Sequence, residues 1–250
     1  MKTRLVIILL LFILFSAFVF QNDFLSEQKK YERVKSAIAD KGEVIQTKLN
    51  EQGLKTEDLN IIILAFKSED LLEIYAKKKK ESTYKKLISY EICSRSGQLG
   101  PKRKQGDNQV PEGFYAIDRF NPGSTYYLSL GLNYPNQSDR KKSKATNLGG
   151  DIFIHGYCVT IGCMPMTNDK IKEIYLYAVH ARNNGQSKIP VYVFPFQMTD
   201  EKFELYKSKY KEQEELIRFW SNLKQGYELF EKNKRELKVL VDETGNYKFL

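Results

Sequence analysis

The sequence predicts one α+β domain with a β-rich core and flanking helices. Short runs rich in isoleucine, leucine, tyrosine and valine recur after Gly53, and polar residues close each of them, which indicates strands. Apolar residues fall at helical spacing between about residues 27 and 49 and again from Thr199 onward, which indicates helices on either side of the strands. The chain has no internal repeat and no long linker, so a single layered domain is the simplest arrangement.

The first twenty residues have the pattern of an export segment. A positively charged start, MKTR, precedes an apolar run from Leu5 to Phe20. As a helix this run would rise about 24 Å, less than the roughly 30 Å of a bilayer core, which favours a signal peptide. No pair of small residues marks a cleavage site, so an uncleaved anchor stays open. We expect an exported protein of the cell envelope or periplasm that touches the membrane only through residues 5–20.

A helical lead-in is expected over residues 21–55, followed by three successive strands between residues 60 and 93. The segment 96–136 is rich in glycine and proline, which predicts long loops around the strand-like FYAIDRF and YYLSLGL. DIFIHG and VYVFPF predict two further strands.

Between those two strands, Thr167 is placed to cap a helix that ends near Asn183-Asn184-Gly185. From Thr199 onward, charged residues alternate with aromatic ones, which predicts helices that pack over the sheet.

The chain is basic, with a formal net charge of +9. Such a charge suits nucleic acid, anionic lipid or an acidic wall polymer. The lysine clusters at 77–80 and 141–144 are typical of solvated faces, and export argues against a nucleic-acid partner.

Residues 154–163, IHGYCVTIGC, hold one of the two histidines and two of the three cysteines. A zinc site could use His155, Cys158 and Cys163, but it lacks a fourth ligand and the paired spacing of structural zinc motifs. A Cys158–Cys163 disulfide is the natural structural alternative in an oxidising compartment. A third alternative makes all three residues ordinary core side chains.

The fourth alternative is a catalytic cysteine. This interpretation needs a nearby imidazole that lowers the pKa of the thiol, and Cys163, which follows Gly162 and enters a helical region, would have backbone N–H groups to offer an oxyanion. His155 lies eight residues earlier and could act as the base. His180 is the other histidine, and we expect it on the surface of the following helix.

Several stretches between about residues 90 and 225 together resemble the L,D-transpeptidase (YkuD-type) catalytic domain family. They are SGQLGPKRKQGD, VPEGFYAIDRFNP, YYLSLGLNYPN, GGDIFIHGYCVTIGCMPMT, VFPFQMTD and FWSNLKQGY. The closest resemblance is to envelope murein transpeptidase-like proteins with an HGxCxxxGC box. The commoner form of the family has a second histidine where this chain has Ile161, so His155 alone must be the base.

The resemblance implies a YkuD-type sheet or sandwich core over residues 56–225 and a C-terminal extension over 226–250. It implies that Cys163 attacks a peptidoglycan stem peptide and forms a thioester, in a role connected with cell-wall biogenesis and cell shape. Gly156, Thr160 and Gly162 would support the turn and the oxyanion. No metal or cofactor is required.

Substrate contacts are expected from residues around this box. The candidates are Tyr134, Asn133, Arg119, Lys102 and Tyr157.

Two alternatives to transfer remain. One is hydrolysis at the same site, of a stem-peptide bond or of the bond that holds a wall-anchored protein. The other is a catalytically silent module that binds peptidoglycan. For Cys158 we expect a buried spectator, or a reversible disulfide with Cys163 that acts as a redox brake.

Overall fold

The computed structural model describes residues 23–250, so the predicted export segment lies outside the described residues. Within the described range, no helix is both long enough and apolar enough to cross a membrane. The helices are α1 Phe24–Gln28, α2 Glu32–Asn50, α3 Gln137–Lys142, α4 Asn168–Asn183, α5 Asp200–Lys209 and α6 Glu214–Asn233, with a 3-10 turn at Thr56–Asp58.

Eight strands form one mixed sheet rather than a two-sheet sandwich. They are β1 Leu59–Phe66, β2 Leu71–Lys78, β3 Lys85–Glu91, β4 Gly113–Asn121, β5 Ser129–Leu132, β6 Phe153–His155, β7 Met164–Pro165 and β8 Ile189–Phe194. Their order is β3-β2-β1-β8-β4-β5-β6-β7, so β8 returns to pair with β1 in the middle of the sheet. A separate hairpin, β9 Val239–Val241 and β10 Tyr247–Phe249, follows α6.

Strand β1 shows how the sheet separates two apolar cores. Ile61, Ile63 and Ala65 face one core, which also contains buried residues of α2 and α4. Ile62, Leu64 and Phe66 face the other core, which is rich in aromatic side chains from α6 and the C-terminal hairpin. Because side chains alternate along a strand, a continuous apolar run is what a strand covered on both faces requires.

The predicted helix after the cysteine cluster is confirmed. The Thr167 hydroxyl accepts a hydrogen bond from the Lys170 N–H at 3.2 Å, which caps α4 at its first turn. His180 lies in the last turn of α4 and is half-buried, so the expectation of a surface residue is wrong.

Both ends of the described chain pack on the central domain. Val34 and Leu49 of α2 are completely buried against the first core. At the other end, α6 runs through the expected boundary at residue 225, and Tyr247 of the hairpin is buried against Phe114 of β4, with ring centroids 4.9 Å apart.

Candidate active site

Two strands that pair in parallel hold the histidine and the free cysteine together. Ile154 lies opposite Met164, and His155 opposite Pro165. Cys163, immediately before β7, therefore lies beside Phe153, two residues from His155 along β6. Since β6 and β7 are the last two strands of the sheet, this pairing brings His155 and Cys163 to the same edge of the sheet.

The hydroxyl of Thr160 fixes the turn that carries Cys163. It accepts hydrogen bonds from the N–H groups of Gly162 at 3.1 Å and Cys163 at 2.8 Å, and it donates to the Cys163 carbonyl at 2.8 Å. The Cys163 N–H is therefore bonded within its own turn, and an oxyanion that used this N–H would have to replace the Thr160 hydroxyl.

Two glycines allow the chain to pass close to its neighbours. Gly162 has φ +139°, and a Cβ there would lie 3.1 Å from the carbonyl oxygen of Gln109. A Cβ on Gly156 would lie 2.7 Å from Oδ1 of Asn168 and 2.9 Å from the carbonyl oxygen of Tyr126. The two predicted glycine positions therefore have a steric basis.

His155 is almost completely buried, with 2% of its surface exposed. Its Nδ1 lies 2.5 Å from the Gly156 carbonyl oxygen, which requires a proton on Nδ1 and leaves Nε2 as the basic nitrogen. Burial lowers the pKa of His155, and the bond to the Gly156 carbonyl acts in the opposite direction. The aromatic ring of Tyr126 packs on the imidazole, with centroids 4.7 Å apart.

Cys163 is a half-buried free thiol. Its Sγ lies 3.5 Å from the Asp151 carbonyl oxygen. Burial raises the pKa of Cys163, while a backbone hydrogen bond from Phe153 and the charge of Lys102 act in the opposite direction. The expected helix N-terminus at the thiol is absent from the described residues, because the chain first pairs with β6 as β7 and α4 begins only at Asn168.

A disulfide joins Cys93 to Cys158, with 5.4 Å between their Cα atoms. It ties the end of β3 to the exposed loop between His155 and Cys163. The Cys158–Cys163 disulfide, the redox brake built on it and the buried spectator are therefore all wrong. Zinc ligation by Cys158 is also excluded, because zinc binds cysteine as a thiolate and the sulfur of Cys158 is in the disulfide.

A cavity of about 140 Å³ opens beside Cys163. Cys163 and Met164 line one side, and the segment 94–99 that follows Cys93 lines another. Arg95 extends into this rim with 60% of its side chain exposed. Its Nε contacts Asp70, and one terminal nitrogen donates to the Ser68 carbonyl at 3.1 Å.

Buried Glu112 pairs with Lys67, which lines the same cavity. Its carboxylate accepts hydrogen bonds from Lys67 Nζ at 2.9 Å, the Gly100 N–H at 2.6 Å and Trp220 Nε1 at 2.9 Å. Lys67 also donates to the carbonyls of Gly100 and Val110. This network joins β1, the loop before β4 and α6.

A family model described as the L,D-transpeptidase catalytic domain, YkuD, matches residues 60–193. The chain belongs to this family. It is 40% identical over 184 residues to the YafK proteins of Escherichia coli K12 and O157:H7, covering 72% of this chain and 70% of each relative. The names of those relatives place them provisionally among the L,D-transpeptidases.

Two solved structures are also similar. The helical cell shape determining protein Pgp2 of Campylobacter jejuni is 23% identical, with a TM-score of 0.44 over 78% of this chain and 80% of that one. Bd1075 of Bdellovibrio bacteriovorus is 19% identical, with a TM-score of 0.40 over 74% and 75% of the two chains.

Two of the substrate contacts expected for this L,D-transpeptidase domain are buried. Tyr134 is 5% exposed, and its hydroxyl donates to the Leu148 carbonyl at 3.2 Å. Lys102 is 4% exposed and pairs with Asp107 at 2.6 Å. Neither side chain is presented to a substrate, because each is committed to a nearby loop.

The other three lie at the surface. The carboxamide oxygen of Asn133 accepts from the Ala116 N–H at 2.8 Å. Arg119 pairs with Asp151 at 2.9 Å, and the carbonyl oxygen of that aspartate faces the thiol. Tyr157 is 47% exposed on the loop between His155 and Cys163. Arg119 and Tyr157 therefore lie at the rim of the site.

Arg95 and Tyr126 are neighbours of the site that the sequence did not single out. Arg95 is two residues after Cys93, and only the Cys93–Cys158 disulfide reveals that this segment lies beside the thiol. Tyr126 lies within a quoted stretch, but nothing in its spacing indicates contact with His155.

Proposed function

We propose that this protein is a peptidoglycan L,D-transpeptidase-like cysteine acyltransferase that acts on stem peptides in the cell envelope. The observation that carries the proposal is the position of Cys163. It is the one thiol outside a disulfide in the described residues, it lines a cavity, and it directly precedes the strand that pairs with the strand ending at buried His155. Membership of the L,D-transpeptidase family supports the same reaction class.

The reaction proceeds in two acyl transfers. Nε2 of His155 takes the proton of the Cys163 thiol as the sulfur attacks the peptide carbonyl. The carbon–nitrogen bond then breaks, His155 returns the proton to the departing amine, and a thioester remains. An acceptor amine or water then attacks the thioester and His155 takes its proton; the carbon–sulfur bond breaks, and His155 gives the proton to the departing sulfur to restore the thiol.

The cavity beside Cys163 suggests how a stem peptide is oriented. Its inner surface includes Ala65, Ile92 and Val110, whereas Arg95 lies at the open rim. One terminal nitrogen of Arg95 has no partner among residues 23–250, so it can receive a carboxylate. We propose that Arg95 binds a carboxylate of the stem peptide. The small apolar part of the peptide residue that carries this carboxylate then enters the cavity.

Hydrolysis at the same site is the second candidate function, with a stem-peptide bond or the bond to a wall-anchored protein as substrate. Ile161 supports it, because this residue is 80% exposed at the position where the commoner motif has a second imidazole. Whether an amine or water attacks the thioester then depends on which of the two the exposed loop allows to reach it.

Intact-mass measurement tests the proposal. The reduced and the oxidised protein are incubated with a purified tetrapeptide muropeptide, with Cys163→Ala and His155→Ala in parallel. We expect a thioester adduct on the wild type and none on Cys163→Ala. A cross-linked product indicates transfer, and a free carboxyl product alone indicates hydrolysis.

Arg95→Ala should raise the muropeptide concentration needed for half-maximal acylation by about tenfold, the loss of one charge-assisted hydrogen bond. Arg218→Ala is the matched control, because Arg218 is similarly exposed and, within residues 23–250, its ion pair is with Glu214 on the same helix, α6. A folded wild-type protein that binds muropeptide without acylation would replace the enzyme by a binding module.

A further inference from the structure

We propose that Tyr126 is a positioning residue for the imidazole of His155, and that Arg33 of the lead-in helix holds Tyr126 in place through the backbone of its loop. The inference deepens the proposed function, on which its catalytic meaning rests. The observations behind it are the packing of two rings and a set of hydrogen bonds that joins three segments distant in sequence.

The phenol ring of Tyr126 covers the imidazole. The ring centroids are 4.7 Å apart with an interplanar angle of 36°, and Tyr126 is 43% exposed whereas His155 is 2% exposed. A half-exposed aromatic side chain above an almost completely buried ring is the layer that separates this ring from water. Removal of Tyr126 should therefore hydrate the imidazole and widen its range of orientations.

The loop that carries Tyr126 is fixed from within. The Tyr126 N–H donates to the Ser124 hydroxyl oxygen at 3.0 Å, and the Ser129 hydroxyl donates to the same oxygen at 2.6 Å. The Gly156 N–H donates to the Leu128 carbonyl at 3.1 Å, which ties the loop to the residue after His155.

Arg33 of α2 fixes the same loop from outside. One terminal nitrogen of its guanidinium donates to the carbonyls of Ser124 and of Tyr127, the latter at 2.6 Å. The guanidinium also lies over the Tyr127 ring, 5.6 Å from its centroid. The two accepting carbonyls flank Tyr126, so α2 sets the position of the ring above His155 through Arg33.

The surroundings of His155 make its titration a clean readout. Ser129 of β5 and Pro165 of β7 lie opposite it in the sheet, and Tyr126 covers it from the loop. Burial lowers the pKa of His155, and no ionised side chain contributes to that lowering. A change in how the Tyr126 ring covers the imidazole should therefore appear directly in the pKa of His155.

The test follows the imidazole signals of the full-length protein by NMR from pH 4 to pH 9. The chain has two histidines, so a His180→Gln variant assigns both signals. We expect Tyr126→Ala to raise the pKa of His155 by about half a unit or more toward its ordinary value. Tyr126→Phe keeps the ring and should leave the pKa of His155 where it is in the wild type.

Two further variants separate positioning from general loosening. Tyr157→Ala removes an equally exposed tyrosine from the same rim, and we expect no change in the titration of His155. Arg33→Ala should shift the pKa of His155 in the same direction as Tyr126→Ala, and the double variant should shift it no further than Tyr126→Ala alone.

The proposal is overturned if Tyr126→Ala titrates like the wild type, or if Tyr157→Ala shifts His155 by as much as Tyr126→Ala. If Arg33→Ala leaves the titration unchanged, the part assigned to the lead-in helix is wrong. None of these readouts needs turnover, so a failure to acylate muropeptide would count against the proposed function and leave this test intact.

Discussion

Replacement of Thr160 by valine should slow acylation of Cys163 and loosen its turn, since valine has the shape of threonine without the hydroxyl. The Thr160 hydroxyl makes three hydrogen bonds with Gly162 and Cys163, two accepted and one donated, and a longer one of 3.5 Å with the Ser96 hydroxyl. At about 1 kcal/mol net for each bond, the variant loses about 2–3 kcal/mol of turn stability. That corresponds to a decrease in Tm of about 4–12 °C for a domain of this size.

The rate should fall further than the stability alone suggests. A nucleophile displaced by about 1 Å costs on the order of 100-fold in rate, so we expect Thr160→Val to form the muropeptide adduct 10- to 100-fold more slowly, measured by quenched-flow mass spectrometry. Thr160→Ser keeps the hydroxyl and should acylate within about threefold of the wild type.

An unchanged rate and Tm in the valine variant would refute this account of the turn. A faster rate would also refute it, because it would mean that the hydroxyl of Thr160 holds the Cys163 N–H away from a developing oxyanion. In that case the N–H is an oxyanion donor after all, as the sequence alone had suggested.

Three further predictions follow from the surroundings of the site. Because the Cys93–Cys158 disulfide closes a separation of 65 residues, its replacement by two serines should lower the unfolding free energy by about 4 kcal/mol, measured by urea denaturation. Glu112→Gln should lower it by about 3 kcal/mol because it leaves a buried lysine unpaired, whereas Glu243→Gln at the exposed surface should change it by less than about 0.5 kcal/mol. Alkylation of Cys163 by iodoacetamide should reach half its maximal rate at a pH above the ordinary thiol pKa, because burial raises the pKa of this thiol. For the same reason, the unfolding free energy should fall as the pH rises through this range. A half-maximal rate near pH 6 would contradict the last prediction.

The sequence was a good guide to the local elements. The strands between residues 60 and 93 and the Thr167 cap are confirmed, because each depends on a pattern contained within a few residues. The close positions of His155 and Cys163 follow from a short loop between two strands that pair.

Contacts between residues far apart in the chain could not be predicted from the sequence. Cys93 lies 65 residues before Cys158, and the two meet only because β3 ends where the loop before β7 begins. From the sequence alone, Cys163 is the natural disulfide partner for Cys158, because it is nearer in the chain than Cys93. The burial of Lys102 was missed for a similar reason, since no local pattern shows that the Asp107 carboxylate turns back to accept its ammonium.

The resting state of the candidate pair is best described as neutral. Burial raises the pKa of Cys163 and lowers the pKa of His155, and both changes favour thiol and neutral imidazole over thiolate and imidazolium. In the proposed reaction, these directions favour a proton transfer that takes place while a substrate occupies the cavity and the sulfur attacks. A preformed thiolate would be open to oxidation in an oxidising compartment, where a disulfide lies five residues from Cys163. Under the proposed function, a neutral, half-buried thiol with His155 as its base would combine low resting reactivity with attack on a bound peptide.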